Sequence, residues 1–212
     1  MNTDKLLQYF NTCLSLRYDT IGEDVNYKFV PYGNTLEIYF QGSSSTTDWL
    51  RNFAFAKKPY KDMTITFRVH RGFLKAWKEV EDLVIAKIKE KDKNNKYKFK
   101  KITVVGYSHG AALAALCHEC VNYYRPDAKL LGLGFEAPRI YAGFKVKKEL
   151  VRRWEHFYVI RNDSDIVTHM PPKIFGYCDV GNELHIGRFM RYGLIDSHRP
   201  ENLIPTLTKL KE

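Results

Sequence analysis

The chain has 212 residues, with 34 Lys or Arg against 24 Asp or Glu, which leaves a formal charge of +10 with His neutral. That length fits one domain with a real core, and a hydrophobic content of 44% with 14% aromatic residues excludes a disordered chain. Charged residues interrupt every apolar stretch before the roughly 18–20 residues of a membrane span, so the excess charge has three readings: nucleic acid, an anionic surface, or solubility alone.

In chain order, the N-terminal stretch MNTDKLLQYFNTCLSLRYD has no long apolar run and no small-residue cleavage pattern. Leu6, Leu7, Phe10 and Leu14 fall on one helical side, so the stretch reads as an amphipathic helix and not as a secretory leader. Residues 1–34 are therefore expected as a helical extension packed on a single domain covering 1–212, in a protein that is cytoplasmic or exported by a non-classical route. Thr35–Phe40 (TLEIYF) predicts a strand ending at Gln41-Gly42-Ser43-Ser44-Ser45, and Thr46–Phe55 places Trp49, Leu50 and Phe53 on one side of a helix. Met63–Val69 alternates and is β-branched, as a strand should be. Gly72–Lys91 predicts an amphipathic helix with Phe73, Trp77, Val80, Val84 and Ile88 inward.

After a lysine-rich connection, Lys101–Gly106 (KITVVG) is a continuous apolar strand of the kind buried in parallel sheets, and an Ala-rich helix opens at Ser108. Lys129–Phe135 and His156–Ile160 predict further strands with a helix around Val146–Arg153 between them, and Asn182–Phe189 another strand. The alternation predicts an α/β architecture, with a mostly parallel central sheet flanked by helices. Cys117-His-Glu-Cys120 looks like half of a zinc or redox motif, yet no second Cys/His pair has ligand-like spacing. Within a helical stretch the two thiols read as buried apolar side chains.

Gly106-Tyr107-Ser108-His109-Gly110 matches G-x-S-x-G with an apolar strand before it and a helix after it. A sharp strand-to-helix turn exposes the serine at a helix N-terminus, where the dipole favours developing negative charge, and flanking glycines remove side chains that would collide. The bland alternative is a Gly-bounded N-cap serine. A serine nucleophile needs a base and an orienting acid, which here follow it in chain order. Chain order leaves His118, His156, His169, His185 and His198 as candidate bases; His118 lies two to three turns along the same helix and cannot fold back, and His156 opens an apolar strand. His198, in the late loop Asp196–Pro200, is placed to swing over the sheet edge. For the acid, Asp163 and Asp165 both directly follow the HFYVI strand, and spacing does not separate them.

These segments together resemble the fungal-lipase-like (class 3) serine lipases of the α/β-hydrolase superfamily. Tyr39–Leu50 resembles that family's strand, oxyanion loop and lid start; Val69-His70-Arg71-Gly72-Phe73 resembles V-H-x-G-F; Gly106–Gly110 resembles the G-H-S-L-G elbow; and Asn162–Pro172 resembles the acid loop N-x-x-D-x-V-x-x-x-P-P. The likeness runs from about Thr35 to the C-terminus, with Gln41 in place of the usual Arg and Tyr107 and His109 in place of the usual His and Leu. It implies the α/β-hydrolase fold and a Ser-His-Asp ester hydrolase. In it Ser108 is the nucleophile, Asp165 the acid and His198 the base, with Ser43 and the His109 N–H as oxyanion donors. Trp49, Leu50 and Phe53 would belong to a lid over the substrate, the alternative being an ordinary surface helix that packs inward; apart from the resemblance, His70 reads as structural. No metal or cofactor is implied, and the expected partners are a lipid or small ester and an anionic lipid interface. Nucleic acid is not expected, because only Tyr97 and Phe99 interleave the lysines of residues 87–101. The alternative is a weak or silent hydrolase-like protein that binds anionic surfaces or nucleic acid through its basic face.

Overall fold

The computed structural model describes residues 2–23, 25–42, 55–60, 67–143, 148–162, 165–187 and 192–209. Helix α1 (Thr3–Ser15) begins where the Asn2 side chain accepts the Asp4 N–H at 2.9 Å, and it buries Leu6, Tyr9, Phe10 and Cys13 along one side. The rest of the first 34 residues is not helical. Strands β1 (Asp19–Ile21) and β2 (Val25–Tyr32) follow, and β2 forms a hairpin with β3 (Thr35–Phe40) in which Tyr32 pairs with Thr35. The expected helical extension is corrected accordingly. The turn between β2 and β3 is Gly33-Asn34, with Gly33 at φ 55°, between two runs of β-branched and aromatic residues, a combination that specifies a hairpin.

The remaining elements are β4 (Lys57–Tyr60), β5 (Phe67–His70), α2 (Arg71–Ile88), β6 (Lys101–Tyr107), α3 (His109–Tyr124), β7 (Lys129–Phe135), β8 (Tyr141–Ala142), α4 (Lys148–Arg153), β9 (Phe157–Asn162), β10 (Tyr177–Cys178), β11 (Asn182–Ile186) and α5 (Pro200–Lys209). Among the described residues, a seven-stranded sheet runs β1-β2-β3-β6-β7-β9-β11. Its first three strands are antiparallel, whereas β3, β6, β7, β9 and β11 are parallel neighbours. A second, antiparallel sheet has the order β10-β8-β5-β4. The strand expected over Met63–Val69 is described from Phe67 and belongs to this second sheet.

The alternation of side chains along each strand builds two cores. Ile38, Phe40, Ile102 and Val104 face Trp77, Val80 and Val84 of α2 and the alanines of α3. Tyr39, Val105, Leu133 and Ile160 face Leu6 and Phe10 of α1 and Leu203 and Leu207 of α5. Helices therefore cover both faces of the parallel strands, which is why KITVVG is apolar at consecutive positions. Among the described residues, no helix is long and apolar enough to cross a membrane.

Parallel strands in register bring their carboxyl ends to one edge. Phe40 lies opposite Gly106, Tyr107 opposite Phe135, and Phe135 opposite Ile160. The segments that leave this edge carry Gln41-Gly42, Ser108, Glu136 and Asp165. The lysine-rich connection joins the end of α2 to the start of β6, at the opposite edge of the sheet.

Candidate active site

Ser108 sits between β6 and α3 with φ 55° and ψ −122°, a strained backbone for a residue with a side chain. The Ser108 N–H donates to the Phe135 carbonyl at 2.9 Å, which ties the turn to β7. Two glycines make the turn sterically feasible. A Cβ on Gly106 would lie 2.1 Å from the Gly110 carbonyl oxygen, and one on Gly110 would lie 2.3 Å from the Phe40 carbonyl oxygen. Gly110 thus admits the end of β3 as well as the turn. Ser108 precedes the first residue of α3 but makes no side-chain cap bond, which removes the reading as an ordinary N-cap.

Its hydroxyl instead lies 2.7 Å from Nε2 of His198, and Nδ1 of the same ring lies 2.6 Å from Oδ2 of Asp165. All three side chains are buried. Asp165 Oδ1 accepts the Val167 N–H at 2.8 Å, so the carboxylate is fixed at both oxygens. The His198 loop is held by the Asn162 side chain, which donates to the Ser197 carbonyl at 3.0 Å, and by the Tyr107 hydroxyl, which donates to the His198 carbonyl. The Tyr107 ring also stacks on the imidazole, with 5.3 Å between centroids, and Phe10 of α1 meets that ring edge-on at 5.5 Å. Burial first, and the neighbouring carboxyl groups after it, push the Tyr107 phenol well above its ordinary range, so it remains a donor.

Three residues that chain order and spacing could only propose are thus hydrogen-bonded in series. Ser43, Trp49, Leu50, Phe53 and Asp163 lie outside the described residues. The chain leading to Ser43 is placed against the elbow, since a Cβ on Gly42 would lie 3.1 Å from the Tyr107 carbonyl oxygen. His109 is the first residue of α3, and its ring lies 5.6 Å from Phe73. His70 caps α2 by accepting the Phe73 N–H at 3.4 Å, a structural position. His118 is buried on α3 beside Phe157, away from this cluster, and Cys117 and Cys120 are buried free thiols on the same helix.

One member of the cluster was not anticipated. Glu136 is fully buried at the end of β7 with φ 52°, and its carboxyl oxygens accept the Asn162 N–H at 3.0 and 3.3 Å. Burial, then the hydrogen bond and charge of Asp165, hold this carboxyl well above the usual carboxylate range. The available signal was its place directly after a buried strand, at the edge where sites of parallel sheets collect. One oxygen each of Glu136 and Asp165 and a ring nitrogen of His198 lie within 4.8 Å of one another, a spacing that would also suit a metal ion. Both ring nitrogens of His198 already meet hydrogen-bond partners, Asp165 and Ser108, so a metal would have to displace one of them.

A buried imidazole between a serine hydroxyl and a fixed carboxylate can take the serine proton during attack on an electrophilic carbon. Residues 37–175, which include the elbow and the acid loop, match the family described as lipase (class 3). The chain belongs to the class 3 lipase family. It is 30% identical over 161 residues to a lipase of Rhizomucor miehei, covering 72% of this chain and 42% of that protein. It is 32% identical over 139 residues to secreted mono- and diacylglycerol lipase 1 of Fusarium solani, covering 65% of this chain and 39% of that protein. The chain thus spans about two fifths of the length of these two relatives. A solved structure of Rhizomucor miehei triacylglyceride lipase superimposes with a TM-score of 0.69 at 21% identity, over 88% of this chain and 82% of that one. Class 3 membership and this superposition identify the layered sheet as the α/β-hydrolase fold.

Proposed function

We propose that this class 3 lipase chain is a serine ester hydrolase that cleaves carboxylic esters of lipids through an acyl-enzyme. The observation that carries the reading is the unbroken series from Asp165 through His198 to the strained Ser108. His198 takes the hydroxyl proton as Ser108 attacks the ester carbonyl, and Asp165 holds the ring in the tautomer with its proton on Nδ1. Backbone N–H of His109, at the start of α3, and Ser43, just past Gly42, receive the oxyanion of the tetrahedral intermediate. One such donor is typically worth about 10²–10³ in rate. His198 then returns the proton to the departing alcohol, and water repeats the sequence to release the acid.

Substrates are assigned from the relatives, named as a lipase and as a mono- and diacylglycerol lipase, and acylglycerols are the class proposed here. The Fusarium relative, named as secreted, favours a site of action outside the cell. Exposed Leu194 and Ile195 lie on the loop that leads to His198, and Ile174 and Phe175 are exposed on the β10 side. These residues suit contact with lipid. Lys173 precedes them and Lys57 donates to the Phe175 carbonyl, which makes these two the cations proposed to meet an anionic interface. The larger lysine run is at the opposite edge, and β6 alone separates it from Ser108 by about 20 Å.

A chromogenic ester series from short to long acyl chains, given to the wild type and to Ser108→Ala, tests the reading. Turnover by the wild type that is lost in the variant is expected. Equal, negligible turnover by both proteins would sink the enzyme reading and favour a binding role for the basic face.

A further inference from the structure

The buried Glu136 is not required by the three-residue series, and its environment gives it a definite chemical form. It lies at the end of β7, and its oxygens accept one backbone N–H, that of Asn162. Among the described residues, no Lys or Arg nitrogen is within ion-pair distance of it. Arg161 of β9 faces it, but that guanidinium is paired with Asp179 at 3.3 Å and with Glu183 at 3.3 Å. Tyr107 of β6 faces it with a hydroxyl committed to the His198 carbonyl, and the other titratable neighbours are Asp165 and His198. The two buried carboxyl groups therefore share one small space with one imidazole.

Two buried carboxylates so close together do not both ionise, and one of them keeps a proton. Asp165 accepts two good donors, the Val167 N–H at 2.8 Å and His198 Nδ1 at 2.6 Å, and is the better anion of the two. Its two oxygens offer about four lone-pair directions, so a third donor can be accommodated. The proton accordingly stays on Glu136. The backbone adds to this, since Glu136 is held at φ 52°, where a residue with a side chain persists only when its surroundings over-determine it.

We propose that Glu136 is a positioning residue of the active site: as a neutral carboxylic acid it donates a hydrogen bond to Asp165 and keeps that carboxylate ionised and aimed at His198. The proton is not transferred in catalysis. It disperses part of the Asp165 charge and braces the carboxylate against rotation on the side away from the imidazole. The proposal rests on the Ser108, His198 and Asp165 reading given above.

Its test combines an infrared spectrum of the resting protein with pH–rate profiles on a soluble short-chain ester for the wild type, Glu136→Gln and Glu136→Gly. The wild type near neutral pH is expected to show the carbonyl stretch of a protonated, buried carboxylic acid, and Glu136→Gln to lack it. Glycine tolerates the φ 52° backbone but removes the donor. Glu136→Gly should therefore lower kcat about tenfold with little change in KM, the scale of one hydrogen bond to a charged group, and move the acid limb of kcat/KM to higher pH. Glutamine restores a neutral donor of the same length, so Glu136→Gln should recover most of the loss and return the limb to its wild-type position.

Three results would each overturn the proposal: no protonated-acid band in the wild type, an acid limb moved to lower pH in Glu136→Gln, or a wild-type kcat and profile in Glu136→Gly. The second of these would mean an anionic Glu136, and the third a residue that only fills space. If Glu136→Gly does not fold, the infrared band and the glutamine profile decide. The band is read on unreacted protein, so a failure of the triad reading, seen as activity retained by Ser108→Ala, is distinguishable from a failure of this one.

Discussion

Replacing Asp165 by asparagine exchanges one carboxylate oxygen for an NH₂ group and leaves the shape of a fully buried side chain intact, which makes it a sharp test of the hydrogen-bond series. In the wild type, Oδ1 accepts the Val167 N–H at 2.8 Å and Oδ2 faces His198 Nδ1 at 2.6 Å. An amide has one oxygen for these two donors. With its oxygen toward His198, its NH₂ would oppose the Val167 N–H and leave buried donors unpaired, at a cost of about 1–3 kcal/mol. The favoured orientation therefore turns the NH₂ toward Nδ1. That nitrogen must then accept, the ring proton moves to Nε2, and His198 presents a donor to Ser108 where catalysis needs an acceptor. Such a tautomer reversal is worth about 10⁴ in kcat. The assay is hydrolysis of a soluble short-chain chromogenic ester below its solubility limit, with thermal melts of both proteins as a folding control. Asp165→Asn should lose about four orders of magnitude in kcat while KM and melting temperature change little. A kcat within tenfold of wild type, or an equal loss in Asp163→Asn, would refute the assignment of Asp165.

Two other outcomes follow from the packing. Gly110→Ala places a Cβ 2.3 Å from the Phe40 oxygen and 2.5 Å from the Gln41 oxygen, both backbone atoms that cannot step aside. Overpacking of this kind costs about 1–3 kcal/mol, so calorimetry should find melting about 3–10 °C lower, and ester turnover should fall because the displaced segment leads to Ser43. An unchanged melting temperature and rate would mean that β3 yields freely. His118 concerns stability alone. Burial, and then the charge of His156, depress its pKa to about 3 from 6.5, so it is neutral in the fold and takes up a proton on unfolding at any pH between those values. Its contribution is fully present above pH 6.5 and is lost as the pH falls toward 3, at about 1.4 kcal/mol per pH unit. Denaturant titrations at pH 7 and pH 5 should show a wild-type loss of about 2 kcal/mol from this group, and a smaller loss in His118→Leu. Equal losses in both proteins would remove the assigned effect of burial.

Much of the architecture was legible because it rests on local chemistry. The period of Phe73, Trp77, Val80, Val84 and Ile88 gives an amphipathic helix in any context, and α2 buries that set. KITVVG between a polar connection and a glycine has one good home, a strand covered on both faces. The stretch from Val25 to Tyr32 departs from the expected helical extension: the helical pattern of α1 stops at Ser15, and the Gly-Asn turn after Tyr32 carries the hairpin signal. The strand around Val69 was legible as a strand, but its membership of the second sheet was not, since partners of antiparallel strands are chosen by register and not by propensity.

The elbow can be read from residues that are adjacent in the chain. A strand, G-x-S-x-G and a helix are contiguous, and the collisions that require Gly106 and Gly110 involve atoms of the turn or of the strand next to it. The order of serine, acid and histidine is read along the chain as well. Which groups meet depends on contacts between segments far apart in the chain. Asp165 meets His198 because the Val167 N–H holds its carboxylate, and the His198 loop is held in place by Asn162 and Tyr107. Glu136 became a member of the site for the same reason. Its neighbours are 29 and 62 residues away along the chain, and only the register of parallel strands, which brings their carboxyl ends to one edge, places its buried carboxyl against theirs.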